Sequence, residues 1–340
     1  MNWIPFGVVT ATGILSMKLT GVVRYFAIRR NLLDVPNLRS SHTSPTPRGG
    51  GIAIVLSFFA SIATLAVFED VETRLLITVL MGGGAMAFIG FIDDHRSLRA
   101  SVRLGVHLAA AICAVILLGG IPERALEHWG LHGALIGGVM GVLALVWASN
   151  LFNFMDGIDG IAGSEAVFVT AAGAWLNWCR GGDAGLTAAM LCIAAASLGF
   201  LRWNWPPAEI FMGDVGSGFL GFIVAVLSLA ASQRGPLPFE VWGILGGVFV
   251  VDATITLLRR FVRGDRWYEA HSTHAYQRLA RRWQAHLPVT LLVSAINLFW
   301  LLPWAWVAAS TPLYARYCLA GALTPLIALI FFPSAAEEKA

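Results

Sequence analysis

Long apolar stretches separated by short polar segments run through the whole chain. A transmembrane helix needs about 20 mostly apolar residues, and eleven stretches approach or exceed that length. We therefore predict an all-α polytopic membrane protein with about eleven transmembrane helices. The predicted spans are residues 3–28, 50–68, 74–92, 104–121, 132–149, 164–179, 185–201, 216–234, 239–258, 286–308 and 313–333.

The connections between these spans differ in their arginine content. Four arginines lie in the first connection, three in the third and seven in the ninth. Because cytoplasmic loops carry an excess of Lys and Arg, the odd-numbered connections are predicted to be cytoplasmic. Eleven spans then place the N-terminus in the periplasm and the C-terminus in the cytoplasm. The predicted catalytic loops on the inner face are residues 29–49, 93–103, 150–163, 202–215 and 259–285.

Composition agrees with a membrane protein and narrows the classes of function. The 340 residues are 57% hydrophobic and 13% charged, which is typical of one integral-membrane domain, residues 1–340, without a separate soluble unit. The net charge of +3 follows the inside-positive bias, so nucleic-acid binding is not expected. The four cysteines are scattered, without the spacing of a zinc site or a disulfide framework.

Acidic residues near the inner ends of the spans are the candidates for chemistry. Unpaired charge is costly in hydrocarbon, so an acid retained there is a functional candidate. Asp93 and Asp94 end the third span, and ordinary ion pairs at a helix end are the alternative interpretation. Adjacent helical residues diverge by about 100°, so one acid is expected to face the site while the other supports it.

A second acidic motif follows the fifth span. Asn150, Asn153, Asp156 and Asp159 recur every three residues, which would align oxygen donors along one side of a helix end. Hard oxygen ligands of this kind suit Mg²⁺ or Mn²⁺. A glycine-rich polar turn without a ligand is the alternative.

Asp214 precedes the eighth span in a segment rich in small residues. A helix N-terminus of this kind attracts anions, whereas a simple N-cap formed by Asp214 is the alternative. Asp252 lies near the inner end of the ninth span, with Arg259 and Arg260 two turns away, so a structural ion pair is as well supported as catalysis.

Two histidines, His271 and His274, lie in the basic ninth connection. No third nitrogen or sulfur ligand is near them in sequence, so hydrogen bonds to phosphate oxygens are favoured over zinc.

Together these motifs resemble the polyprenyl-phosphate N-acetylhexosamine-1-phosphate transferases, glycosyltransferase family 4, over residues 34–282. The segment from Asp34 to Asn37, with His42 and Arg48, looks like the bacterial branch that starts O-antigen from UDP-GlcNAc-type sugars. The branch that uses UDP-MurNAc-pentapeptide has three consecutive histidines in the last inner loop, where this chain has only His271 and His274. That departure weakens a peptidoglycan assignment.

The resemblance implies transfer of an N-acetylhexosamine 1-phosphate, or a 6-deoxy derivative, from a UDP-sugar to undecaprenyl phosphate with release of UMP. The reaction would be the first membrane step of O-antigen or cell-envelope polysaccharide synthesis, at the cytoplasmic face of the bacterial inner membrane. Mg²⁺ is the implied cofactor, with Mn²⁺ as the alternative. The implied partners are a UDP-N-acetylhexosamine, undecaprenyl phosphate and membrane lipid, and a homodimer stays open. The alternatives are a phospho-MurNAc-pentapeptide transferase and, in another class, a transporter, which would place its charges near the membrane midplane.

The resemblance also implies residue roles. The metal residues would be Asp214, Asn153 and Asp156, with Asn153 also contacting substrate. The catalytic residues would be Asp93, Asp94 and Asp156, one of the acidic pair deprotonating the lipid phosphate or attacking directly. The substrate-binding residues would be Asp159, Asn204 and Phe211 at the uridine, and His42, Arg48, His271 and His274 near phosphates and sugar.

Overall fold

A computed structural model of the chain describes residues 4–36, 44–68, 71–127, 130–265 and 272–331, which are mostly helical. Two short segments, Thr78–Gly83 and Asn297–Leu301, are π-helical. The α-helices are α1 Ile4–Arg29, α2 Gly51–Phe68, α3 Thr73–Ile77, α4 Gly84–His95, α5 Ala100–Leu118, α6 Glu123–Glu127, α7 Ala134–Met155, α8 Ile161–Cys179, α9 Ala184–Asn204, α10 Asp214–Arg234, α11 Phe239–Leu245, α12 Gly247–Val262, α13 Ala275–Trp283, α14 Leu287–Ile296, α15 Leu302–Ser310 and α16 Ala315–Phe331.

The all-α membrane class is supported by the lengths and composition of these helices. Within the described residues, nine helical segments are long and apolar enough to cross a membrane. A tenth span results if α11 and α12 form one broken span, since they bend by 79° at Gly246. The sequence predicted one span over residues 239–258, and the structure adds a break within it. The remaining predicted span is α8, which has 19 residues but includes Glu165 and Asn177. The count of eleven and the membrane orientation stay predictions.

Helix α10 lies at the centre of the bundle. Of its most apolar 18-residue stretch, 89% is buried, because it packs against α2, α4 and α7. Small residues allow this close packing: a Cβ atom on Gly221 would lie only 2.2 Å from the carbonyl oxygen of Ala148 in α7. The first residue of α10, Asp214, is thereby held at one end of the bundle centre.

Two connections join beside the start of α10. Strands β1 (Leu33–Asp34) and β2 (Thr46–Pro47) form an antiparallel pair, and the backbone N–H of Phe211 donates to the carbonyl of Pro47 at 2.8 Å. The next residues pack even more closely, since a Cβ atom on Gly51 would lie 2.3 Å from Cα of Gly216. This docking brings the first predicted inner loop against the connection between α9 and α10.

Asp252 has a structural role at the start of α13. Its carboxylate accepts the backbone N–H groups of Ala275 at 2.9 Å and Tyr276 at 3.0 Å, and it lies 3.3 Å from Nδ1 of His274. These contacts satisfy N–H groups that have no partner within the helix. These contacts give Asp252 a structural role at the N-terminus of α13, a partner that the sequence did not predict.

Candidate active site

A polar cavity of about 220 Å³ lies at one end of the bundle, between the C-terminal end of α7 and the N-terminal end of α10. Seven residues predicted from the sequence converge on it. They are Arg48, Asn153, Asp156, Asp159, Asn204, Phe211 and Asp214.

The carboxylate of Asp214 is the point where most polar contacts meet. Its Oδ1 accepts hydrogen bonds from Asn153 Nδ2 at 3.0 Å and from Arg48 Nη2 at 3.1 Å. Asn153 Nδ2 also donates to Ser217 Oγ, one turn along α10, at 3.1 Å. The N-cap of α10 is Gly213 with φ of 76°, so the alternative in which Asp214 is the cap is wrong.

Asp94 caps α10 instead. Its two carboxylate oxygens accept the backbone N–H groups of Asp214 at 2.8 Å and Val215 at 3.1 Å, and Oδ1 lies 2.7 Å from Arg48 Nη2. A Cβ atom on Gly213 would come within 2.6 Å of this carboxylate. The N-terminus of α10 thus binds an anion, as expected, but the anion is a side chain of the protein itself.

Asp93 turns away from its neighbour, as expected for adjacent residues of a helix. Its carboxylate accepts Leu98 N–H at 2.7 Å and Arg103 Nη1 at 2.6 Å. Arg103 also lies 3.6 Å from Asp214 Oδ2. Asp94 therefore contacts the backbone of Asp214, and Asp93 is joined to Asp214 through Arg103. Neither acid lines the cavity. The proposed base role of the pair stays a prediction.

The cavity has an excess of negative charge near Asp156. Burial raises the pKa of Asp156 well above its ordinary value, and the nearby Asp214 and Asp94 raise it further while Arg48 lowers it. For Arg48, burial alone would lower the pKa, but Asp94 and Asp214 outweigh it and the pKa is raised. Since Mg²⁺ binds through one or two carboxylates and completes its shell with water and phosphate, Asp156, Asp214 and Asn153 fit this ion.

A second cluster of metal-ligand atoms lies at the other end of α7. Among the described residues, one group of three acidic or histidine side chains places its ligand atoms within 4.8 Å of one another: Glu123, Glu127 and His132. All three are exposed, and none of them was predicted from the sequence.

Another part of the cavity wall is held by hydrogen bonds around Asp159. Its Oδ2 accepts Ala208 N–H at 3.0 Å, and its Oδ1 lies 3.1 Å from His286 Nδ1. Asn204 Oδ1 accepts the backbone N–H of Gly160 at 3.0 Å. These contacts join the connection after α7 to the connection after α9 and give the wall a fixed shape.

Of the three histidines predicted to contact phosphate or sugar, the structure describes His274, and it does not line the cavity. His274 is buried at 2% exposure, and its ring lies between those of Phe154 and Tyr276, at centroid distances of 6.3 and 5.8 Å. Its contacts fit the start of α13 better than a ligand contact. His42 and His271 lie outside the described residues.

Several residues of the site were missed. Asp34, Ser217, Gln277 and His286 line the cavity, and Arg103 joins Asp93 to Asp214. Ser217 could have been found, since it lies in the same motif as Asp214. Gln277 and His286 carry no local signal, because only the docking of α13 and α14 brings them to the cavity.

Comparison with known proteins identifies related chains. Residues 75–232 match the family model described as glycosyl transferase family 4. A probable undecaprenyl-phosphate N-acetylglucosaminyl 1-phosphate transferase of Bacillus subtilis is 28% identical over 82% of this chain and 78% of its own length. A decaprenyl-phosphate N-acetylglucosaminephosphotransferase of Mycobacterium tuberculosis is 28% identical over 82% and 76%. A phospho-N-acetylmuramoyl-pentapeptide-transferase of Endomicrobium trichonymphae is 30% identical over 64% and 66%.

Proposed function

This chain belongs to the polyprenyl-phosphate N-acetylhexosamine-1-phosphate transferase family, and on that premise we propose which reaction it performs. It transfers an N-acetylhexosamine 1-phosphate, or a 6-deoxy derivative, from a UDP-sugar to undecaprenyl phosphate and releases UMP. The observation that supports this most is the convergence of Asp156, Asp214, Asn153 and Arg48 in one cavity at a helix end. We further propose that this end faces the cytoplasm and that the product enters O-antigen or another envelope polysaccharide.

The uridine of the donor lies against the cavity wall formed by Asp159, Asn204 and Phe211. A carboxylate accepts the ring N–H of uracil, an amide pairs with its carbonyl groups, and an aromatic ring stacks on its face. Because Asp159 is held by Ala208 and by His286, the base meets a wall that needs little rearrangement.

The diphosphate then lies toward Asp214. Arg48, whose guanidinium already contacts Asp94 and Asp214, provides a fork of donors for phosphate oxygens. Asp156, Asp214 and Asn153 are the residues that hold Mg²⁺, which supplies charge neutralisation for two phosphate-bearing substrates.

The acceptor phosphate approaches the side of Asp214 where Asp93 and Arg103 form their pair. The Arg103 side chain is 37% exposed, so an incoming phosphate can reach it. In this proposal Arg103 binds the acceptor phosphate and Asp93 is the candidate that removes its proton.

A panel of nucleotide sugars tests the proposal. Purified protein with undecaprenyl phosphate and Mg²⁺ is expected to release UMP and form a lipid-linked sugar from at least one UDP-N-acetylhexosamine. The panel includes UDP-GlcNAc, UDP-GalNAc, the 6-deoxy sugars and UDP-MurNAc-pentapeptide, because a pentapeptide transferase is among the relatives. Product from UDP-MurNAc-pentapeptide alone would favour the pentapeptide-transferase alternative. The absence of turnover with every donor would refute the proposed enzymatic activity.

A transporter is the second candidate, but the geometry favours it less. Transporters place their charged binding residues near the middle of broken helices, whereas the active-site carboxylates Asp94, Asp156 and Asp214 lie at helix ends. Uptake of a solute into vesicles without UMP release would support the transporter.

A further inference from the structure

A second and larger cavity lies beside α13. It has a volume of about 1130 Å³ and is formed by α12, α13, α14 and α16. We call it the lateral groove; its apolar wall includes Leu292, Ile296, Leu326, Leu329 and Ile330. Leu329 is 59% exposed and Leu292 is 38% exposed, so the groove opens on the outer surface of the bundle, where acyl chains can enter from the side.

The lateral groove has a cationic end formed by α13. Arg278, Arg281 and Arg282 contribute to its lining. Arg278 Nη1 donates to the carbonyl of Thr273 at 3.0 Å, but its Nε and Nη2 atoms are buried and make no hydrogen bond within the described part of the chain. Unsatisfied buried donors of a charged group are costly. Since a guanidinium presents its donors as a fork that matches phosphate, these atoms indicate an anionic ligand that completes the site.

The lateral groove and the active-site cavity are separate among the described residues. They share no lining residue, and α13 stands between them: Gln277 lines the active-site cavity, whereas Tyr276 and Arg278 line the lateral groove. A phosphate at Arg278 is therefore not at Asp214, where the acceptor phosphate must react. The two sites are nevertheless mechanically linked, because the Tyr276 hydroxyl donates to the carbonyl of Phe154 at 2.9 Å, two residues before Asp156.

We propose that the lateral groove binds one anionic glycerophospholipid of the inner leaflet, with its phosphate on Arg278 and its acyl chains between α14 and α16. The exposed Arg281 and Arg282 add positive charge that selects an anionic over a zwitterionic head group. The bound lipid holds α13 in place and so stabilises the side of the catalytic cavity that Gln277 forms.

Lipid retention tests this site without any turnover. The full chain is reconstituted in phosphatidylcholine nanodiscs with phosphatidylglycerol as a minor component, and retained lipid is counted by native mass spectrometry. The wild-type chain is expected to retain one phosphatidylglycerol. Arg278→Gln is expected to reduce that retention about tenfold, because a charge-assisted hydrogen bond is lost. Arg278→Lys keeps the charge but loses the fork, so intermediate retention is expected.

Arg30→Gln is the matched control, since Arg30 is an exposed arginine at the end of α1 and should retain the lipid like the wild type. Equal retention of phosphatidylcholine and phosphatidylglycerol by the wild type, or unchanged retention by Arg278→Gln, would overturn the proposal. Preferential retention of added undecaprenyl phosphate at Arg278 would also overturn it, by assigning the groove to the acceptor. If phosphatidylglycerol is retained only after residues 335–340 are removed, the acidic C-terminal segment is the natural occupant of the lateral groove and the proposal is overturned.

Stimulation of UMP release is a second readout, and it rests on the proposed function. Phosphatidylglycerol is expected to raise the wild-type rate but not the rate of Arg278→Gln. If no lipid supports UMP release while retention still depends on Arg278, the proposed reaction fails and the lipid site stands.

Discussion

At the scale of single residues, Asp214 is held by a set of contacts that would be hard to assemble by chance. Asn153 and Arg48 reach it from other parts of the chain, and Asp94 binds its backbone N–H at 2.8 Å. The contribution of Asp94 is positional, since both its oxygens are used for capping. The position of Asp214 therefore depends in part on Asp94, a residue that does not line the cavity.

Replacing Asp94 by Asn tests that positional role. An amide keeps one acceptor oxygen but turns its NH₂ group toward a backbone N–H, which leaves one buried donor unpaired and weakens the contact with Arg48. We expect the protein to lose about 1–3 kcal/mol of stability and the turnover number to fall more than KM for the UDP-sugar rises. Thermal unfolding and steady-state kinetics measure both. Glu209→Gln is the control, because Glu209 pairs with Arg24 and does not line the cavity; equal losses in both variants would contradict the role.

Asp156 predicts a pH dependence for metal binding. Its pKa is raised by burial and by neighbouring carboxylates, so without metal it is protonated at higher pH than an ordinary Asp. Because Mg²⁺ binds the deprotonated form, binding should release protons, and the apparent affinity should increase as pH rises through this range. Calorimetry in buffers of different protonation enthalpy measures the release. Asp156→Asn should weaken binding and remove most of this proton release, whereas an unchanged release would assign it to another group.

Asp214→Ala separates metal use from nucleotide binding. Loss of this carboxylate is expected to abolish Mg²⁺-dependent turnover while UMP still binds, because the uridine wall around Asp159 is built from other connections. Equilibrium binding of UMP and a Mg²⁺ titration of activity measure the two effects. An Mg²⁺ dependence of Asp214→Ala turnover equal to that of the wild type would contradict a direct ligand role.

The residues predicted from the sequence are those with a local signal. The spacing of Asn150, Asn153, Asp156 and Asp159 predicted a shared side of one helix end. Helix α7 ends at Met155, before two of them, and Asn153, Asp156 and Asp159 line the cavity whereas Asn150 does not. His286 and Gln277 could not be predicted, because their position depends on how two later helices dock. His274 was assigned to phosphate from its place in a basic loop, but its ring packs between two aromatic rings.

At the scale of elements, close backbone approach at the start of α10 is the feature that brings Arg48 to Asp214. Gly51→Ala tests it. The new Cβ atom would lie 2.3 Å from Cα of Gly216. The backbone shifts that remove such an overlap lower the stability of the folded protein by about 1–3 kcal/mol. We expect lower thermal stability and reduced turnover. Gly105→Ala in α5 is the matched control, since its Cβ atom would have nothing within 4 Å and a helical Gly→Ala change stabilises by up to about 1 kcal/mol.

A buried polar pair joins α8 to the π-helical segment after α14. Asn297 Nδ2 donates to Glu165 Oε2 at 2.6 Å, while Glu165 Oε1 and Asn297 Oδ1 are buried without a hydrogen-bond partner among the described residues. Glu165→Gln would supply a donor for Asn297 Oδ1 and form a complementary pair of amides, so stability equal to or above the wild type is expected.

Asn297→Leu is the opposing change at the same pair. It would leave the buried Glu165 side chain without its donor, so a loss of about 1–3 kcal/mol is expected. Thermal unfolding in detergent compares the two variants. A destabilised Glu165→Gln together with a stable Asn297→Leu would contradict this account.

Apolar length predicted most of the helices, but it did not predict breaks or partners. Residues 239–258 form one apolar stretch, yet the chain bends by 79° at Gly246. Hydropathy cannot detect such a break, because both halves are apolar and the bend depends on packing against α15 and α16. Conversely, α8 is a full-length helix whose Glu165 and Asn177 make it less apolar than the other spans, and these residues are accommodated because both are buried within the bundle.

At the scale of the whole molecule, the orientation in the membrane decides which compartment the catalytic cavity faces. Helix α8 begins beside the cavity at Ile161 and ends at the exposed Cys179, so Cys179 and the cavity lie at opposite ends of one helix. The arginine distribution predicts that the Cys179 end is periplasmic. Cys113 is also exposed but lies within α5, where lipid shields it from a water-soluble reagent.

A membrane-impermeant maleimide applied to intact spheroplasts is therefore expected to label the wild-type chain at Cys179 and to leave Cys179→Ser unlabelled. Ser97→Cys in a Cys179→Ser background provides the inner reporter, because Ser97 lies in the exposed turn after Asp94. It should react only after the membrane is permeabilised. Labelling of Ser97→Cys in intact spheroplasts would place the carboxylates on the periplasmic side, away from cytosolic UDP-sugars, and would contradict the proposed reaction even if the geometry of the cavity stands.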